Sequence, residues 1–180
     1  MTHMLSKTNL LLAVPPTEMM AAQGFGLTLA HMAYRVGGGP HLFRANLPVP
    51  VRGGVMLIDD AGFDGRGDPA PFCQEVVREC AARGYTGVIC DFDRHLPLLG
   101  QVIAGLSPLL AKRGWPLYVP EPYGRYSATA KVLIPTALSG GSLQVRLQEA
   151  VQQYGAARVA LAVERSAEDF FLPSPNGQGI

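Results

Sequence analysis

The sequence predicts an α/β fold in which parallel strands alternate with helices, an incomplete (β/α) TIM-type barrel of about six strands. Three observations predict it. Short apolar runs recur along the chain, each followed by a longer segment with apolar residues at helical spacing. Acidic residues stand at the carboxyl ends of those runs: Asp59 and Asp60, Asp91 and Asp93, Glu121, and Glu164. The 180 residues suffice for a domain with its own core. They fall below the roughly 200 that a complete eightfold barrel needs.

Asn9–Val14 reads as the first strand, cut short by Pro15-Pro16. From residue 1 to about 45 the order is otherwise not legible: Met19-Met20 and His31-Met32 have helical character, but Gly24, Gly26 and Gly37-Gly38-Gly39 interrupt it. The clearest strand is Gly54–Asp60. A Gly- and Asp-rich loop leads to Asp68, a good N-cap, with Pro69 at the first helical position. Phe72, Val76 and Cys80 mark that helix's inner face, widened by Cys73, Val77 and Ala81, and Gly84 ends it.

Gly87–Asp93 is the next strand. The helix after it carries Leu96, Leu99, Val102 or Ile103, Leu106 and Leu110, with Pro108 expected to kink or split it and Gly114 to close it. Pro116–Glu121 and Lys131–Thr136 are two further strands. Ser142 caps a helix bearing Leu143, Leu147, Ala150 or Val151, and Tyr154, ended by Gly155. The last strand is Arg158–Glu164; Ser166 and Asp169 beyond it have capping-box spacing. No linker divides the chain, so a single domain over 1–180 is expected, with 166–180 reading as the start of a truncated further unit. An open barrel edge calls for a cover, and a homo-oligomer is the expected one.

Hydrophobic residues make up 48% and charged residues 16%, with a formal net charge of +1 and scattered Lys and Arg. That balance disfavours nucleic acid and acidic membranes as partners. No run is long enough to span a membrane. Cys73, Cys80 and Cys90 match no zinc spacing and read as small buried hydrophobes of a reducing, cytoplasmic compartment. The histidines have no metal-ligand spacing, and no cofactor or metal is expected. His95, just past Asp93, reads as a solvated loop histidine. Ser139-Gly140-Gly141-Ser142 lacks a P-loop lysine and reads as a tight turn.

In parallel α/β folds, functional groups gather beyond the carboxyl ends of the strands. Alternation puts Ile89, Asp91 and Asp93 on one face and Cys90 and Phe92 on the other. Two carboxylates on one face repel each other, which raises the pKa of one of them. Asp91 and Asp93 are the candidate catalytic pair. Glu121, Tyr123 and Asp59 are the candidate substrate-binding residues around it.

Thr86–Asp93 resembles the strand-end motif DGxDxDxE of chitinase-like family 18 glycoside hydrolases. Gly87 and Asp91 match it, and Phe92 stands where that family has an aromatic residue. Thr86 and Ile89 replace two of its aspartates, and Asp93 takes the place of its catalytic glutamate. The resemblance implies Asp93 as proton donor, Asp91 as the acid that assists the substrate's acetamido group, and a carbohydrate as ligand. Aspartate is one methylene shorter than glutamate, so the carboxyl would fall about 1.5 Å short. This implies a glycoside hydrolase-like protein degenerate at its catalytic motif. The alternative is a non-catalytic relative that binds carbohydrate or protein or serves in assembly. A third reading follows from Asp91-Phe92-Asp93, which also resembles the DxD motif of haloacid dehalogenase-type phosphatases, with Lys131 as the basic partner.

Overall fold

The computed structural model describes residues 10–136 and 141–162. Two compact units divide the chain, Met1–Val132 and Leu133–Ile180. The fold class is α/β, an incomplete barrel-type arrangement of parallel strands and intervening helices.

In the first unit, β1 (Leu11–Val14), α1 (Met19–Ala22), β2 (Thr28–Gly37) and β3 (His41–Arg44) precede β4 (Val55–Asp59). α2 (Pro69–Arg83), β5 (Val88–Asp91), α3 (Pro97–Lys112) and β6 (Leu117–Pro120) follow. The strand order is β1-β2-β4-β5-β6, all parallel, with β3 antiparallel on β2. β2 and β3 lie in the region whose order the sequence did not yield. His31 and Met32 belong to this ten-residue strand rather than to a helix, while Met19 and Met20 are helical. Tertiary burial overrides local propensity here: β2 is buried along most of its length, so it lacks a clean alternation.

The α2 boundaries follow from its ends. Asp68 accepts a hydrogen bond from Ala70 N at 3.0 Å, Pro69 occupies the first turn, and Gly84 closes the helix at φ 87°. Phe72, Cys73, Val76, Val77 and Cys80 are buried as the spacing predicts; Ala81 is exposed. Pro108 does not split α3, which runs unbroken from Pro97 to Lys112 with Leu99, Val102, Ile103, Leu106 and Leu110 buried. Gly105 allows α2 and α3 to approach: a Cβ there would lie 2.9 Å from Cys73 Sγ.

The second unit comprises most of β7 (Lys131–Pro135), with α4 (Gly141–Tyr154) and β8 (Val159–Ala162). Ser142 lies inside α4 rather than capping it, and Gly155 ends the helix at φ 85°. Ala150 is buried, whereas Val145 and Val151 are exposed. Thr136 N and Oγ1 both donate to Ala162 O at 3.0 Å, tying β7 to β8. Glu164, Ser166, Asp169 and the 166–180 segment lie outside the described residues, as do Ser139 and Gly140.

Candidate functional site

Register fixes which strand-end side chains share a face. Tyr34, Ile58 and Cys90 are lateral partners across β2, β4 and β5. Tyr34 reaches Glu79 of α2 by a 3.0 Å hydrogen bond, so this row faces α2. One residue on, Arg35, Asp59 and Asp91 are lateral partners and face the opposite side. β2 reaches this register through a bulge: His31 pairs with Met56 and Tyr34 with Ile58, so two β2 residues oppose the single Leu57. The bulge turns Arg35 towards Asp59.

Arg35 Nε donates to Asp59 Oδ1 at 2.8 Å and Nη2 to Oδ2 at 3.4 Å. Asp59 Oδ1 also accepts from Ala61 N at 3.0 Å. Asp91, the last residue of β5, and Asp93 beyond it are exposed.

Asp60 takes the other side and is 3% exposed. Its carboxylate accepts from Asp93 N at 3.2 Å and Arg94 N at 3.0 Å. The Arg94 guanidinium folds back, donating to Asp60 O at 2.9 Å and to Phe63 O, with Nε 3.8 Å from Asp60 Oδ2. Tyr123 clasps the same loop from β6's carboxyl end. Its hydroxyl donates to Arg94 O and accepts from Leu96 N at 3.3 Å. Burial raises the Tyr123 pKa, which keeps the hydroxyl protonated as a donor. Phe92 packs edge-on against the Tyr123 ring at 5.9 Å, and His95 stacks on it at 6.3 Å with 19° between planes.

Of the residues singled out from sequence, Asp59 and Asp91 adjoin in one row. Asp93 stands on the clasped loop beyond them. Glu121 is half-buried and opens a 3-10 turn, Glu121–Tyr126, between Pro120 and Pro122. Tyr123 is buried, with its hydroxyl taken by backbone groups. Sequence reasoning missed Arg35, Asp60's separation from Asp59, and Arg94. Strict alternation along Ile58-Asp59-Asp60 was the available signal for the second; the bulge in β2 hid the first.

A concavity of about 440 Å³ lined by Leu47, Pro48, Val51, Arg52 and Arg83 lies at the opposite, amino ends of the strands. Another of about 220 Å³ beside Ser107, Trp115 and Leu117 lies there too. Neither hollow is lined by Arg35, Asp59, Asp91, Asp93 or Tyr123. Among the described residues no group of three or more His, Cys, Asp or Glu is placed to hold a metal. No described helix is long and apolar enough to cross a membrane.

No family model matches the chain, and no curated protein matches it. Among solved structures it is similar to the spore cortex-lytic enzyme SleL of Bacillus megaterium QM B1551, with a TM-score of 0.59 and 13% identity. The match covers 84% of this chain and 49% of that one, so the chain spans about half its neighbour's length. The likeness is one of fold alone.

These findings overturn the chitinase-like family 18 assignment: that family's model does not match, and the fold likeness comes at 13% identity. An aspartate at the end of a parallel strand is a general feature of barrel geometry, and two matching positions in Thr86–Asp93 do not carry a lineage.

Proposed function

We propose that this protein is a glycosidase-like barrel that binds an oligosaccharide at the carboxyl ends of β4, β5 and β6, with little or no bond cleavage. The in-register row Arg35–Asp59–Asp91, on the face turned away from α2, carries this reading. Carboxylates and a guanidinium supply acceptors and donors for sugar hydroxyls, and strands hold such groups more firmly than loops do. Asp91 and Asp93 contact the sugar, Asp59 is held in place by Arg35, and Glu121 and Tyr123 flank the site.

A glycosidic general acid needs burial or a close like charge to remain protonated near neutral pH. Asp91 and Asp93 are exposed and Asp59 is matched by Arg35, which supports binding over hydrolysis. An N-acetylglucosamine oligomer, which offers both hydroxyl and amide groups to such side chains, is the first ligand to try. Cys73, Cys80 and Cys90, all free thiols and all buried, support a place in the cytoplasm.

Calorimetric titration with N-acetylglucosamine oligomers tests the reading, together with release of chromophore from aryl glycosides. Binding that Asp91→Asn abolishes, with chromophore release at blank level, is expected. Absence of binding across an oligosaccharide panel refutes it. Turnover that Asp93→Ala stops would replace binding with catalysis.

A further inference from the structure

His95 stands out at the strand-end surface because the fold immobilises it without using its ring nitrogens. It is exposed, yet its ring lies nearly parallel on the buried Tyr123 ring. The two backbone groups that bracket it, Arg94 O and Leu96 N, are both held by the Tyr123 hydroxyl. Asp60 fixes the segment just before it through the amides of Asp93 and Arg94. Among the described residues, no hydrogen bond reaches either nitrogen of His95. His31, by contrast, spends its Nδ1 on Tyr85 at 3.0 Å. Loop side chains in water ordinarily keep their rotamer freedom, and ordering one in the free protein removes that cost from binding.

We propose that His95 is a ligand-contacting residue of the oligosaccharide site and that Tyr123 is its positioning residue. The proposal rests on the reading of a sugar site at the carboxyl ends of β4, β5 and β6. His95 and Tyr123 occupy that same end, four residues past Asp91 on β5 and three past Pro120 on β6. An imidazole packed parallel and offset against the tyrosine ring has its nitrogens left to exchange hydrogen bonds with sugar hydroxyls, donating from one and accepting at the other. Tyr123 acts through the ring stack and through the two hydrogen bonds that stop the Arg94–Leu96 segment from turning.

The test is calorimetric titration of the full chain with the N-acetylglucosamine tetramer, with melting temperature followed in parallel. His95→Phe keeps the stack and deletes the nitrogens. It is expected to weaken binding about tenfold at an unchanged melting temperature. His95→Gln restores a donor and an acceptor and is expected to recover part of the loss. Tyr123→Phe is expected to weaken binding in the wild-type background and to have no further effect on His95→Phe, since it acts through His95.

If His95→Phe binds like wild type while Asp91→Asn does not bind, His95 is no contact residue and the sugar site stands. Equal losses from Tyr123→Phe in both backgrounds overturn the positioning role. Failure of the wild-type chain to bind the tetramer removes this proposal together with its ligand.

Discussion

The carboxylate of Asp60 is almost wholly withdrawn from water, and its acceptors are occupied by the amides of Asp93 and Arg94. Removing a buried acceptor leaves its donors unsatisfied, which costs more than the net worth of the bonds themselves. Asp60→Ala strands two amides and removes the ion pair to Arg94, whose bonds to Asp60 O and Phe63 O remain, so a loss of about 1–3 kcal/mol is expected in urea unfolding. Asp60→Asn keeps one acceptor and is expected to lose about half as much. Equal stability of the alanine variant and wild type would mean that the loop is not held by this residue. His31 gives a second prediction at this scale. It is 2% exposed beside Tyr85, with Tyr34 edge-on to that same ring, and burial holds its pKa below the ordinary 6.5. The unfolded chain therefore takes up a proton near pH 6.5 before the folded one does. Stability is level above that pH and falls as pH drops from about 6.5 towards the lower folded-state value. Melting temperature is expected to fall between pH 7.5 and pH 5 more steeply in wild type than in His31→Gln, and parallel slopes would rule His31 out as the cause. At the residue scale the sequence made the acids visible but not their division of labour. Asp59 and Asp60 are neighbours in the chain, and only the strand's alternation sends one to an ion pair on the open face and the other into a clasp.

The elements that sequence resolved best are those whose ends carry their own chemistry. α2 has a side-chain cap, a proline in its first turn and a left-handed glycine at its close, so its limits were legible to within a residue. β2 and β3 are set off by Gly26 and by Gly37-Gly38-Gly39-Pro40, but from sequence these glycines read as interruptions of a helix rather than as strand limits. Their order comes from burial and from partners distant in the chain, including the bulge that resets the phase of β2. The expected break at Pro108 did not occur because the α3 face around it, Val102, Ile103, Leu106 and Leu110, is wholly buried, and that packing outweighs one lost helical bond. The β4–α2 loop is pinned by an isolated bridge between Gly39 and Gly67. A Cβ on Gly67 would stand 2.1 Å from Gly39 O, at φ 108°. Gly67→Ala is thus expected to cost at least about 2 kcal/mol in thermal or urea unfolding. Gly53, at φ 77° with nothing within 4 Å of where a Cβ would stand, isolates the backbone cost, and Gly53→Ala is expected to lose only about 1 kcal/mol. Equal losses at the two positions would show that the close approach of Gly39 and Gly67 contributes nothing.

For the molecule as a whole, repetition of strand and helix was enough to predict the class, because each parallel pair needs a crossover and each crossover leaves a period-3.6 pattern. Pairing was not predictable in the same way, since edge and centre strands differ in what lies beside them. Among the described residues of the first unit, β1 ends the strand order, bonded to β2 on one side. Leu10–Val14 carries no charge, and Leu10 at its start is 43% exposed. Edge strands of stable monomers are ordinarily blunted by charge, by proline within the strand or by a covering element. A second copy of this chain adding its own β1 is the occupant we expect, because a two-fold pairing matches the same uncharged edge to itself. Sedimentation velocity over a hundredfold concentration range should then show a monomer–dimer equilibrium. Leu12→Lys places one charge on each of two facing strands and should return the protein to monomer at every concentration. A single monomeric species for wild type at every concentration would leave β1 as an edge that the protein tolerates uncovered.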